Sequence, residues 1–250
     1  NSNDTGNDVT AVLLTATAGT GIDLDTTVGT LDASVTGTGA IVIDETAAIV
    51  LQDIDTNEGT ITITAGDQIT ATDVDSSNTD DDTNDISLTA TTGDLLVTVV
   101  NAGSNNDVSL TSTAGAIVDN NGGANNITAD ELSISAQNAV GTSGDFLDTT
   151  VSNVEVTSTT AGVFLAEAND LTVGGTSGAL TGITAGDAVS ITLASGSLTT
   201  DEAINSGAAV MINSPDDVTF NAAVEAVRGL TVNAGTDNTG SLTQAAGRTL

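Results

Sequence analysis

The chain has 250 residues, 34 of them acidic and 2 basic, and a formal net charge of −32. Arg228 and Arg248 are its only cations besides the terminus, with no Lys or His, so it cannot displace counterions from phosphates; nucleic acid is excluded as a partner and an anionic membrane surface is opposed. It has no cysteine, no Trp or Tyr and three Phe, so disulfides and thiol chemistry are out, and its core must be a narrow one of Val, Ile, Leu and Ala.

Residues 1–20 show neither a charged n-region nor an apolar h-region, and no run approaches the roughly 18 apolar residues of a membrane helix. The chain opens on Asn1 and stops at Leu250 inside a repeat. It reads as a single solenoid domain over 1–250, an excerpt of a longer repetitive chain. From Ile22 onward an apolar alternation recurs: Ile22-Asp-Leu24, Ile41-Val-Ile43, Ile61-Thr-Ile63, Ile86-Ser-Leu88, Val108-Ser-Leu110 and Leu132-Ser-Ile134. It goes on as Val154-Glu-Val156, Leu171-Thr-Val173, Val189-Ser-Ile191, Val210-Met-Ile212 and Leu230-Thr-Val232, in steps of 19, 20, 25, 22, 24, 22, 17, 18, 21 and 20 residues. A period in this range marks a solenoid, in which each repeat buries its apolar face only against its neighbours.

Each repeat has an internal order. A strand of alternating apolar residues runs into a small-residue turn such as Thr64-Ala-Gly66, Thr113-Ala-Gly115 or Thr160-Ala-Gly162. A second short strand follows (Asp94-Leu-Leu-Val97, Ala116-Ile-Val118, Val163-Phe-Leu165), then an Asp/Asn/Gly/Ser loop of variable length. Thr, Val and Ile suit strands, Asn and Asp tolerate turns, and glycine supplies positive φ at corners. The largest loop insertion runs from Asp73 to Asp85. Phe220–Arg228 scores as helical in isolation, but its repeat context predicts strand–turn–strand. The predicted fold is all-β: a parallel β-helix of 11–12 coils of about 20 residues, reaching on the order of 55 Å at the usual strand spacing. Ile61 and Ile63 are expected in the lumen with Thr62 outside, and Ile86 and Leu110 in buried stacks.

Asp107-Val-Ser-Leu-Thr-Ser-Thr-Ala-Gly-Ala-Ile-Val118 and Asp85-Ile-Ser-Leu-Thr-Ala-Thr-Thr-Gly-Asp-Leu-Leu-Val97 resemble the filamentous-haemagglutinin-like β-helical regions of giant bacterial surface proteins. The resemblance runs from about Val9 to Leu242 and implies an exported, right-handed, cell-surface rod. That family's secretion domain with its amino-terminal cap is missing here, as is any outer-membrane barrel.

Asp53-Ile-Asp55-Thr-Asn57-Glu58-Gly59 places oxygen ligands at alternate positions, as a calcium loop does, although Glu58 holds the usual Gly place and no Glu closes the loop. Asp73, Asp75, Asp80, Asp81, Asp82 and Asp85 form a denser acidic insertion. Asp53, Asp55, Asn57, Asp73 and Asp75 are therefore the candidate Ca²⁺ ligands; the competing reading is a solvated loop that keeps a rod soluble. The Gly-Gly-x-Gly-x-Asp calcium signature does not occur. Lacking His, Cys and Lys, the chain has no imidazole base, thiol nucleophile or Schiff-base lysine; a carboxylate pair could in principle cleave glycosides, but aromatic platforms for sugars are scarce. Thr60, Thr62 and Thr64 share one strand face, as strand propensity alone explains, and the sequons at Asn3 and Asn126 are of a length that arises by chance.

The expected function is a structural rod of an exported bacterial adhesin or envelope filament, without catalysis and without a cofactor other than Ca²⁺. The alternative is a calcium-stabilised binding module; a polysaccharide-processing β-helix enzyme ranks third. The expected partner is the chain itself, end-to-end or laterally, or further coils of one chain, since the coils near Val12 and Leu242 show no cap. The expected location is extracellular, at the bacterial surface.

Overall fold

The computed structural model describes residues 6–237 and 239–246. They form parallel strands stacked as a β-solenoid of about 11 turns of roughly 21 residues, without helix. The fold follows from one row of side chains. Leu24, Ile43, Ile63, Leu88, Leu110, Ile134, Val156, Ile183, Ile204 and Val224 lie in register, each on the next coil. From Ile43 to Val224 all are buried. A parallel strand turns alternate side chains to one face, so Ile61 and Ile63 enter the lumen while Thr62 is exposed. Ile86 and Leu110 are 1 % and 0 % exposed, as expected. Burying one such side chain contributes about 1.5–3 kcal/mol.

The next inward row needs small residues where the chain turns a corner. It reads Ala65, Ala90, Ser112, Ala136, Ser158, Ala185, Ser206. A buried hydroxyl must find a partner. Ser112, Ser158 and Ser206 donate to the carbonyls of Gly93, Asn138 and Asp187 at 2.7–2.8 Å.

Two sequence expectations are corrected. The turn glycines Gly66, Gly115 and Gly162 do not have positive φ. They are needed for close approach instead: a Cβ on Gly66 would lie 2.3 Å from the Thr46 carbonyl oxygen, and one on Gly115 2.4 Å from that of Gly93. Second, the recurring apolar pairs do not form one wall throughout. Val189, Val210 and Leu230 stack on Val163, whereas the wall of Val156 continues through Ile183. The two walls carry the same alternation, so the period passes from one to the other unnoticed where an inserted loop interrupts the first.

At the ends the burial thins. Among the described residues strand Val9–Ala18 pairs only with strand Ile22–Thr38, and Val12 is 86 % exposed. In that second strand the register shifts between Leu31 and Asp32, where Gln52 of the next coil is extra, and again between Val35 and Thr38. At the other end Leu230, Val232 and Ala234 are only partly buried and Leu242 is 52 % exposed. Phe220–Arg228 gives strands Val218–Phe220 and Val224–Ala226, as the repeat context required.

Leu110→Ala should lower unfolding free energy by about 2–5 kcal/mol, with faster amide exchange confined to the coils on either side. Gly115→Ala should destabilise more than Gly19→Ala, whose Cβ would meet nothing within 4 Å. Urea melts and hydrogen exchange by mass spectrometry check both; loosening spread evenly along the rod would contradict the nearest-neighbour account.

Candidate functional site

Strand Asn153–Ser158 meets two partners on the following coil: Leu171–Val173 through Val154↔Val173, and Ile183–Ala185 through Val156↔Ile183. Residues 174–182 leave the wall between them. The exit is fixed by Gly174 N–H donating to the Val154 carbonyl at 3.0 Å, the return by Val156 N–H donating to the Gly182 carbonyl at 2.8 Å. Gly182 has φ +61, and a Cβ there would lie 2.1 Å from the Ala203 carbonyl oxygen; only glycine fits. The excursion folds back as a strap over the outer face of earlier coils. Ser177 Oγ donates to Asp107 Oδ2 at 3.2 Å and its N–H to Glu131 Oε2; Thr176 Oγ1 bonds Ser133 Oγ at 3.2 Å.

The strap tip borders a groove of about 410 Å³ floored by Ser87, Ser109 and Ser133, with Asp85, Asp107 and Glu131 along its side. These stand on three successive coils, since Ser87, Ser109 and Ser133 are in register. Burial, then the neighbouring Glu131 and Asp85 carboxylates, push the Asp107 carboxyl up to about 6. The groove thus concentrates negative charge beside hydroxyls. It suits a positively charged or polyhydroxylated group, and Asp107 is the member that would exchange a proton near neutrality. Sequence reasoning missed this site. Its only signal is the glycine-dense run Gly174-Gly-Thr-Ser-Gly-Ala-Leu-Thr-Gly182.

The carboxylates singled out from sequence come together only partly. Asp55 and Asp75 are in register on adjacent coils and line, with Asn57, Ser77 and Asn78, a groove of about 470 Å³. Burial, then Asp53, Asp75 and Asp73, push the Asp55 carboxyl up to about 6. Burial, then Asp53 and Asp75, raise that of Asp73. Asp75 is already engaged: Oδ1 accepts from the N–H and hydroxyl of Ser77 at 2.7 Å each, and Oδ2 from Asn101 Nδ2 at 3.0 Å. Asn57 Oδ1 accepts from Asn78. Among the described residues, no group of three or more His, Cys, Asp or Glu is arranged to hold a metal ion. The 73–85 insertion has a structural task instead. Asp80 accepts from Ser104 N–H and hydroxyl and from Asn105 N–H at 2.7–3.0 Å. Burial opposes ionisation there, but these donors outweigh it and hold the Asp80 carboxyl below its ordinary range.

Two buried glutamates share one design. Glu45 Oε2 accepts from Thr26 Oγ1 and Val28 N–H of the preceding coil, and Oε1 from Ala47 N–H. Glu167 likewise accepts from Thr149 Oγ1, Val151 N–H and Ala168 N–H. Each ties a corner to the coil before it. Burial pushes the Glu167 carboxyl up to about 7, against those donors.

No family model, curated protein or solved structure matches the chain.

Asp55, Asp107 and Glu167 all have folded pKa values above their ordinary 3.8–4.5. Below about pH 4 both folded and unfolded forms are protonated and the stabilisation is complete. It is lost as pH rises through 6–7, because the unfolded chain releases protons first. At low salt, thermal stability should therefore fall from pH 5 to pH 8. Asp107→Asn should flatten that decline and raise stability at pH 8 by about 1 kcal/mol, a figure discounted for partial exposure. Melting curves across this range check the sign; a rise toward pH 8 would contradict it.

Proposed function

We propose that the chain is a structural rod of an exported bacterial surface adhesin or envelope filament and works mechanically rather than catalytically. The observation that carries this is the ladder from Leu24 to Val224, which runs through ten coils without a change of partner. Such a ladder gives a stiff body of fixed rise per coil, the property a spacer requires. The resemblance of the Asp107–Val118 repeat to surface β-helices supports the location. The acidic outer faces support a rod that resists lateral clumping in dilute salt.

Among the described residues the end strands Val9–Ala18 and Leu242–Gln244 each pair with one neighbouring strand, and the apolar residues there, Val12, Leu13 and Leu242, are 86 %, 54 % and 52 % exposed. Open edges of this kind pair with further strands. The partner is therefore the same fold: additional coils of one chain, or copies stacked end-to-end. A second reading, a calcium-stabilised binding module, is favoured by the Asp53, Asp55, Asp73 and Asp75 charges converging on one face.

Purified 1–250 should form end-to-end fibres visible by negative stain, which bundle at about 0.5 M NaCl as charge is screened. Val12→Lys with Leu13→Lys should shorten them by placing charge on the edge. A monodisperse, salt-insensitive monomer at high concentration would overturn the self-stacking reading.

A further inference from the structure

The strap leaves a gap in the wall, and two carboxylates fill it. Glu155 occupies the outward position between Val154 and Val156, facing the interruption in the next coil. Glu202 stands on the coil beyond, its backbone N–H bonded to the Val173 carbonyl at 3.1 Å. Gly174 packs flush on the Glu202 stem: a Cβ there would lie 2.6 Å from Glu202 Cγ.

The two side chains hold the two ends of the strap. Glu155 Oε1 accepts from Thr176 N–H at 3.2 Å, and Glu202 Oε2 from Gly182 N–H at 2.6 Å. Glu155 is 1 % exposed, and its Oε2 is buried without a hydrogen-bond partner. The Glu202 carboxylate lies within hydrogen-bonding reach of Glu155. Two carboxylates so placed cannot both be ionised without a positive charge between them. The chain offers no lysine or histidine to supply it. A shared proton leaves one negative charge in a buried gap, whereas a divalent ion cancels both.

We propose that the gap between Glu155 and Glu202 is a binding site for a hard divalent cation of the Ca²⁺ class, and that the bound ion locks strap 174–182 over the acidic groove. Ca²⁺ takes six to eight oxygens and tolerates irregular geometry. Two carboxylates from neighbouring coils supply the charged ligands; strap carbonyls and water supply the rest. The inference is independent of the rod reading, because a locked strap serves a spacer and a binding module alike.

Calorimetric titration of the full chain with CaCl₂ at pH 7.5 and about 150 mM NaCl provides the test. One saturable site is expected, with Kd on the order of 10⁻⁴ M. Glu155→Gln and Glu202→Gln should each weaken it at least tenfold. Asp44→Asn, which removes the same charge from an exposed position, should leave it unchanged. Amide exchange over 175–180 should slow with Ca²⁺ in the parent chain and not in the two Gln variants; circular dichroism confirms their fold. Absence of saturable binding, or equal weakening by all three substitutions, would overturn the site in favour of diffuse screening. Loss on Asp55→Asn with retention in the Gln variants would also overturn it and move the ion to the other acidic face. If acid raises the protection factor of the strap amides, relative to their intrinsic exchange rates, while Ca²⁺ leaves it unchanged, the pair shares a proton and the proposal fails.

Discussion

Everything in this molecule depends on stacking equivalent residues one coil apart. Parallel pairing sets neighbouring strands about 4.8 Å apart, so whatever stands at one position meets its like above and below. Inward, that is favourable: the Leu24-to-Val224 row is apolar throughout. Outward, the same rule brings acidic residues together, as at Asp25 and Asp44 or Asp55 and Asp75. A like-charge pair at this spacing costs between about 1 kcal/mol in water and 4 kcal/mol near a protein surface. A chain with formal charge −32 must answer this many times over.

Its answer is to use carboxylates as staples. Asp94, Asp170 and Asp217 each accept a backbone N–H from the next coil, those of Ala116, Ser197 and Ser241, at 2.7–2.8 Å. Asp80 does the same for a loop rather than a strand. At such places the chain turns away from the ladder and leaves a donor unpaired, and an anionic acceptor makes a stronger bond than a neutral one. The acidity is thus partly architectural. The staples at loop edges and the glutamates at corners explain why Asp and Glu persist where Ser or Asn would ease repulsion.

The fold was legible because its signal is redundant. Ile61, Ile63, Ile86 and Leu110 could be placed inside from alternation alone, since each is repeated on every coil. The turn glycines were located correctly but for another reason: sequence shows that Gly66 lacks a side chain, and only the coil beneath shows that Thr46 lies where a Cβ would go. The exchange of walls at Val189 was hidden because both walls carry the same pattern. The sites were less legible still. Alternating Asp53, Asp55 and Asn57 resembles a ligand loop locally, yet Asn57 is spent on Asn78 and Asp75 on Ser77 and Asn101. Glu155 gave no sign, since its meaning comes from Glu202, 47 residues later in the chain, and from an interruption between them.

That interruption shows where novelty can enter such a body. Within the regular ladder a new side chain meets its own kind on either side, so chemistry there is averaged along the rod. Where a loop leaves the wall, the coils on either side lose their contact, and residues two coils apart face each other directly. Glu155 and Glu202 meet only because strap 174–182 departs between them, and the strap's return over Asp107 and Glu131 joins coils that otherwise never touch. Long-range contact in a one-dimensional fold therefore has to be made by insertion. The same step that breaks the periodicity builds the concave, charged site. In a solenoid the place to look for specific function is accordingly the largest departure from the repeat.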